Sequence, residues 1–109
     1  MRLKGKTAIV TGGGSGFGAG IARIFAREEA QVMVADLNAD AAARVAHELG
    51  GIAQQADVSE GASVAAMTKA AREAWGRIDI VVNNAGITHM PAPLEEVSEA
   101  DFDRVLAVN

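Results

Sequence analysis

One glycine-rich segment constrains the fold of this chain more than any other feature. Thr11-Gly12-Gly13-Gly14-Ser15-Gly16-Phe17-Gly18 follows an apolar run and precedes a segment of helical composition. Glycine allows the positive φ angles of a tight turn and leaves the backbone accessible, because it has no side chain. The N-terminus of the following helix offers unpaired N–H groups and a partial positive charge. A strand, a glycine turn and a helix in this order predict a cradle for the phosphates of a dinucleotide.

Three apolar runs lack the polar and apolar alternation of half-exposed strands, which indicates strands buried on both faces. They cover residues 7–10, 32–35 and 78–82. A fourth strand fits residues 52–56, where Gln54 and Gln55 indicate a more exposed position. Strands of this kind that alternate with helices predict an α/β fold with a parallel sheet, in which ligands bind at the carboxyl ends of the strands.

Segments of helical length and composition separate these strands. They cover residues 18–29, 39–49 and 61–75. Asn38 and Ser59 are N-cap candidates for the second and third segments, and Gly50 and Gly76 are C-cap candidates. Ser98-Glu99-Ala100-Asp101 has the pattern of a capping box and predicts that one more helix begins there. The predicted order is therefore β-α-β-α-β-α-β followed by the start of a helix.

The composition argues against several classes of function. The chain has 109 residues, which corresponds to one small domain, 1–109. Its 14 acidic and 10 basic residues give a formal net charge of −4 without a basic face, so we expect neither nucleic acid nor membrane as a partner. The absence of cysteine excludes disulfides and thiol catalysis, and no apolar run approaches the roughly 20 residues of a membrane span. These properties predict a soluble, cytoplasmic protein.

The two histidines do not predict a metal centre. His47 lies in a predicted helix beside Glu48, with no second ligand at metal-binding spacing around it. His89 lies in the loop-like stretch 87–93 that contains both prolines. We expect no metal, a surface position for His47 and a solvated loop position for His89.

Asp36 discriminates between the two nicotinamide dinucleotides. It ends the second predicted strand, 18 positions after Gly18, near the offset of about 20 residues at which a carboxylate meets an adenosine ribose. This carboxylate would repel a 2′-phosphate, and the next residues, Leu37-Asn38, include no Arg or Lys that could hold one. NAD is therefore predicted in preference to NADP.

Two motifs and their spacing resemble the classical short-chain dehydrogenase/reductase family over the whole chain. Thr11-Gly12-(x)3-Gly16-x-Gly18 matches the cofactor motif of that family, and Asn83-Asn84-Ala85-Gly86 after the fourth strand matches its second signature. Asp57-Val58 follows the third strand at the matching spacing. The resemblance implies a Rossmann-type, doubly wound parallel sheet, of which this chain holds the N-terminal half.

The resemblance also implies roles for individual residues. Asp57 and Val58 would flank the adenine, Asn84-Ala85-Gly86 would pack beside the cofactor, and Asn83 would brace the strands. Asn109 lies about where the family has the Asn of its catalytic Asn-Ser-Tyr-Lys tetrad. The expected cofactor-binding residues are Gly12, Gly14, Ser15, Gly16, Phe17, Gly18, Asp36, Leu37, Asp57, Val58, Asn84, Ala85 and Gly86. Phe17 departs from the small aliphatic residue usual in the family.

The reaction implied by the resemblance is hydride transfer between a nicotinamide and a carbonyl or alcohol, with a Tyr that transfers the proton. The chain contains no tyrosine, so we expect it to be the cofactor-binding part of a longer NAD-dependent oxidoreductase, with Ser and Tyr-x-x-x-Lys after Asn109. Kinship implies a homo-oligomer, a dimer or a tetramer, and leaves 3-oxoacyl thioesters, sugars, polyols and steroid-like alcohols open as substrates. Two alternatives are a non-catalytic nucleotide-binding module and an S-adenosylmethionine-dependent methyltransferase.

Overall fold

The computed structural model describes residues 3–84 and the backbone of residues 102–107. Helices and strands alternate through residue 83. The elements are β1 (Thr7–Thr11), α1 (Gly16–Arg27), β2 (Gln31–Asp36), α2 (Ala39–Leu49), β3 (Ile52–Gln55), α3 (Gly61–Trp75), β4 (Ile78–Asn83) and β5 (Phe102–Ala107). The predicted strands and helices up to β4 are confirmed, with ends that differ by no more than two residues.

The strands form one parallel sheet in the order β3-β2-β1-β4-β5. Thr11 at the end of β1 pairs with Ala35 on one side and with Asn83 on the other. The carboxyl ends of β1, β2 and β4 therefore lie at one edge of the sheet. The chain runs to one side of β1 with β2 and to the other side with β4, and such a switch point forms a crevice for ligands in α/β sheets.

Helices cover both faces of the sheet, which explains why the strands lack alternation. Ile9 and Val81 belong to a buried cluster with α3 residues, whereas their neighbours Val10 and Val82 belong to a second buried cluster with residues of α1 and α2. The residues of β1 and β4 are therefore buried whichever face they occupy, whereas β3 alternates between half-buried and exposed residues, as Gln54 and Gln55 predicted. Alanines dominate the buried positions of α1 and α2, and their small side chains allow these helices to approach the sheet closely.

Three of the four predicted helix caps are confirmed. Asn38 Oδ1 accepts a hydrogen bond of 3.0 Å from the N–H of Ala41, as an N-cap does. Gly50 and Gly76 end α2 and α3 with φ angles of 71° and 80°, in the left-handed region that favours glycine. The Ser59 prediction is wrong, because Glu60 occupies the N-cap of α3 and makes no side-chain cap bond. The hydroxyl of Ser59 instead donates a hydrogen bond to the carboxylate of Asp57.

The prediction of a helix that begins at Ser98 is wrong for residues 102–107. These residues form β5, which pairs with β4 in parallel. The helix prediction rests on the capping-box pattern of residues 98–101, and the spacing of Phe102, Val105 and Leu106 is also compatible with a helix. In the folded chain, β4 would have an unpaired edge on the side away from β1, and pairing with β5 satisfies its backbone groups. Tertiary pairing thus overrides the local pattern. The capping-box residues themselves lie outside the described residues.

Candidate nucleotide-binding site

A cleft of about 350 Å³ opens at the carboxyl edge of the sheet. The segments that follow β1, β2, β3 and β4 meet there, because parallel strands bring their carboxyl ends to the same edge. The cleft is lined by Gly12, Ser15, Asp36, Leu37, Ala56, Asp57, Val58 and Asn84. All of these except Ala56 are residues that the sequence predicted to bind cofactor. Another cavity, of about 330 Å³, lies at the opposite edge and contains none of the predicted site residues.

The structure does not bring every predicted residue to the wall of this cleft. Gly14, Gly16, Phe17 and Gly18 belong to the glycine turn and the first turn of α1 but do not line the cavity. The remaining predicted residues, Ala85, Gly86, His89 and Asn109, lie outside the described residues. His47 is exposed, as predicted.

The glycine turn depends on glycine for two different reasons. Gly12 and Gly16 have φ angles of 64° and 55°, in the left-handed region where a side chain is strained. Gly18 instead lies against its neighbours: an added Cβ would collide with the carbonyl oxygen of Gly12 and lie 2.5 Å from Nδ2 of Asn84. The absence of a side chain at Gly18 therefore allows α1 to start against both the turn and the segment after β4.

The N-terminus of α1 is left free of acceptors from its own residues. Ser15 occupies the N-cap but its side chain makes no cap hydrogen bond, and the first turn contains no acidic residue. The first N–H groups of a helix have no acceptor within the helix and carry a partial positive charge. Because Ser15 also lines the cleft, this end of α1 can donate hydrogen bonds to an anion bound there.

Asp36 is held at the edge of the cleft by two backbone groups. Its Oδ2 accepts a hydrogen bond of 2.9 Å from the N–H of Gly14, and its Oδ1 accepts one of 2.9 Å from the N–H of Asn38. A Cβ at Gly14 would lie 2.9 Å from Oδ2, so glycine permits this contact. Each carboxylate oxygen can accept a further hydrogen bond. Asp36 therefore presents a fixed negative charge with acceptor capacity for hydroxyl groups.

Thr11 joins the ends of the two strands that border the crevice. Its side chain is fully buried, and its Oγ1 donates to the carbonyl oxygen of Val82 at 3.1 Å and accepts from the N–H of Asn84 at 3.0 Å. Oδ1 of the buried Asn83 lies 3.4 Å from the same hydroxyl, in agreement with the bracing role expected for this Asn. The sequence motif included Thr11 without a role for its side chain, although a hydroxyl group at the end of a buried strand requires hydrogen-bond partners.

We expect Thr11→Val to lower the free energy of unfolding by about 1 to 2 kcal/mol, because the N–H of Asn84 would lose its buried acceptor while the side-chain volume hardly changes. Thr68→Val is the matched control: the Thr68 hydroxyl is also buried but donates to the carbonyl oxygen of Val64 within its own helix. That carbonyl keeps its helical hydrogen bond. Urea unfolding of both variants measures the difference, and equal losses would contradict the role of Thr11.

A second network orders the segment after β3. Ser59 donates to Oδ1 of Asp57 through its hydroxyl at 2.5 Å and through its N–H at 3.0 Å, while the N–H of Asp57 donates to Oγ of Ser63 at 2.8 Å. The two bonds from Ser59 lower the pKa of Asp57, so this carboxyl is ionised at neutral pH. Nearby, Gln55 Nε2 donates to the carbonyl oxygen of Leu37 at 3.2 Å and ties β3 to the segment after β2.

Two other kinds of site are absent from the part of the chain that the structure describes. No group of three or more His, Asp or Glu side chains there could hold a metal ion. Likewise, no helix among these residues has both the length and the apolar character that a bilayer span requires.

Comparison with known proteins agrees with this geometry. Residues 6–109 match the sequence family described as short chain dehydrogenase. A D-threitol dehydrogenase of Mycolicibacterium smegmatis is 45% identical over 114 aligned positions, which cover 100% of this chain and 44% of the relative. The chain thus spans less than half the length of that protein.

Solved structures show the same relationship. A 3-ketoacyl-(acyl-carrier-protein) reductase from Brucella melitensis, complexed with NADH, superposes with a TM-score of 0.76 at 40% identity, covering 88% of this chain and 44% of that one. A short chain dehydrogenase/reductase from Burkholderia phymatum, in complex with NAD, has a TM-score of 0.75 at 38% identity, covering 80% of this chain and 33% of that one. By its motifs, its strand order and these matches, the chain belongs to the short chain dehydrogenase family.

Proposed function

We propose that this chain is the cofactor-binding part of an NAD-dependent oxidoreductase that interconverts an alcohol and a carbonyl compound. The observation that carries the proposal is the cleft in which the anionic Asp36 and the free N-terminus of α1 lie at one edge of a Rossmann-type sheet. A dinucleotide has the matching chemistry, because it combines ribose hydroxyls with a pyrophosphate. The relatives solved with NADH and NAD support the same choice of cofactor.

The described residues fit the adenosine half of NAD. Asp36 would accept hydrogen bonds from the ribose hydroxyls, and the first turn of α1 would donate to the pyrophosphate. Leu37, Val58 and Asp57 line the same cleft and offer two apolar side chains and one acceptor for the adenine. Because Gly18 has no side chain, the glycine turn, α1 and Asn84 can pack closely around this cradle.

The bound nicotinamide would supply hydride transfer, and the protein would supply orientation and proton transfer. Asn84-Ala85-Gly86 would pack beside the cofactor, and Asn109 would belong to the catalytic tetrad. Because the chain has no tyrosine, we propose that sequence after Asn109 supplies the Ser, Tyr and Lys of that tetrad. One relative is a D-threitol dehydrogenase and another is a 3-ketoacyl-(acyl-carrier-protein) reductase. Polyols and 3-oxoacyl thioesters are therefore the first substrate classes to test.

In the full-length protein that contains this chain, we expect NADH to bind at least about tenfold more tightly than NADPH, because Asp36 repels a 2′-phosphate. Asp36→Asn should reduce that ratio about tenfold. The control is Asp40→Asn, which removes the same charge from an exposed position in the first turn of α2. Fluorescence titration with both nucleotides measures the ratio, and equal wild-type affinities would contradict the predicted preference for NAD.

Catalysis requires a separate test. The full-length protein should oxidise NADH in the presence of at least one member of a panel of carbonyl compounds that includes keto sugars and 3-oxoacyl thioesters. The measurement is the loss of NADH absorbance with time. Tight NADH binding without turnover across the panel and the corresponding alcohols would favour the non-catalytic nucleotide-binding module. Binding of S-adenosylmethionine instead of NADH would favour the methyltransferase alternative. The match to the short chain dehydrogenase family argues against that alternative.

A further inference from the structure

We propose that Ser59 is a positioning residue that makes the site selective for the amino group of adenine. This inference rests on the proposed function, because it assumes that Asp57 contacts the adenine of NAD. It assigns a role to a residue outside the glycine turn and outside the wall of the cleft. The evidence is the way in which Ser59 occupies one oxygen of the Asp57 carboxylate.

Both hydrogen bonds from Ser59 go to the same oxygen. Its hydroxyl and its N–H donate to Oδ1 of Asp57, at 2.5 and 3.0 Å. None of the described residues donates a hydrogen bond to Oδ2 of Asp57. A carboxylate that is bonded in this way by two donors from one residue loses rotational freedom about its Cα–Cβ and Cβ–Cγ bonds. Asp57 therefore holds a defined orientation with one oxygen available as an acceptor.

The main chain of Asp57 is anchored independently of its carboxylate. Its N–H donates to Oγ of Ser63 in the first turn of α3, at 2.8 Å. Val58 beside it is buried, with 5% exposure, and both residues line the cleft. The backbone at this position is thus set by α3 and the core, whereas the orientation of the carboxylate is set by Ser59. Ser63 therefore positions the main chain of Asp57, and Ser59 orients its side chain.

An oriented carboxylate distinguishes purines by the group at C6. Adenine has an amino group at C6, which donates to an acceptor, whereas hypoxanthine has a carbonyl oxygen there, which does not. A carboxylate held in place opposes the carbonyl oxygen, because two acceptors repel each other. A carboxylate free to rotate would reduce this repulsion. Ser59 should therefore control the preference for adenine more than it controls binding of the dinucleotide as a whole.

The test compares NADH with reduced nicotinamide hypoxanthine dinucleotide, in which a carbonyl oxygen replaces the amino group at purine C6 and N1 carries a proton. In the full-length wild-type protein, we expect NADH to bind at least about tenfold more tightly than the hypoxanthine analogue. Ser59→Ala should lower this ratio about threefold to fivefold, because one of two hydrogen bonds to a charged group is lost. Fluorescence titration with each dinucleotide gives the two dissociation constants.

Two matched variants make the result specific to the hydroxyl of Ser59. Ser59→Thr keeps a hydroxyl and should retain the wild-type ratio. Ser63→Ala removes a hydroxyl that contacts the backbone of Asp57, and should change the affinities for both dinucleotides by the same factor. The inference is overturned if Ser59→Ala leaves the ratio unchanged, or if Ser63→Ala lowers it equally. Failure of the wild-type protein to bind either dinucleotide would overturn the proposed function itself.

Discussion

Replacing Gly18 with alanine should lower the free energy of unfolding by about 3 kcal/mol and weaken NADH binding by more than about tenfold. The added methyl group would collide with the carbonyl oxygen of Gly12 and lie 2.5 Å from Nδ2 of Asn84. The obstruction includes backbone, which cannot move aside as a flexible side chain does. Helix α1 must therefore shift away from the turn, and the phosphate cradle opens. Urea unfolding and NADH titration of the full-length protein measure the two effects.

Gly20→Ala is the control for this substitution. Gly20 lies one half-turn further along the same helix, and an added Cβ there would meet no atom within 4 Å. Alanine in a helix interior is more stable than glycine by about 0.5 to 1 kcal/mol, so this variant should gain stability and bind NADH normally. Similar behaviour of the two variants would show that the packing around Gly18 has been misinterpreted.

Replacing Asp79 with alanine should lower the free energy of unfolding by about 3 kcal/mol, with little effect on NADH affinity in the folded protein. Asp79 is 3% exposed in β4, and its Oδ2 accepts from the N–H of Thr7 at 2.9 Å and from Nε of Arg77 at 3.1 Å. Removal of this acceptor leaves a buried N–H of β1 unpaired and removes the carboxylate partner of the Arg77 guanidinium, which is largely exposed and also donates to the carbonyl oxygen of Gly5. The site of damage is the amino edge of the sheet, opposite the cleft.

Asp40→Ala provides the comparison for Asp79, because Asp40 is an exposed acidic residue in the first turn of α2. Removal of the Asp40 carboxylate should lower the free energy of unfolding by no more than about 1 kcal/mol, the usual contribution of a charge near a helix terminus. Chemical unfolding of both variants measures the contrast. If Asp79→Ala were no more destabilising than Asp40→Ala, the buried network at the start of β1 and β4 would contribute little to stability.

Local sequence patterns predicted most of the fold. The strands around Ile9, Met33 and Val81 were identifiable because burial on both faces removes the alternation of polar and apolar residues. Asn38, Gly50 and Gly76 marked helix ends because their side chains, or the lack of one, satisfy requirements that are local to the chain. Such signals depend on a few consecutive residues, so they survive without knowledge of the tertiary structure.

The predictions that failed were those in which a distant or charged partner competed with a local pattern. Ser59 was expected to cap α3, yet α3 begins one residue later, with Glu60 at its N-cap, and the Ser59 hydroxyl donates to the Asp57 carboxylate. Residues 102–107 have helical spacing, yet they pair with β4, whose edge is otherwise unpaired. Only for residues 102–107 does the deciding partner lie outside the segment itself, because β4 is about 20 positions away; the partner of Ser59 is two positions away.

For the site, the sequence by itself determined which chemical groups are available: a glycine turn before a helix, a carboxylate at Asp36 and the motif that begins at Asn83. Only the tertiary structure decided how these groups meet. Parallel pairing of β1 with β2 and β4 brings four loops to one cleft, the Gly14 and Asn38 N–H groups orient Asp36, and Thr11 ties β1 to the N–H of Asn84. Apart from the bond between Asn38 and Asp36, which are two positions apart, these contacts join residues at least 22 and up to 73 positions apart, so no local pattern encodes them.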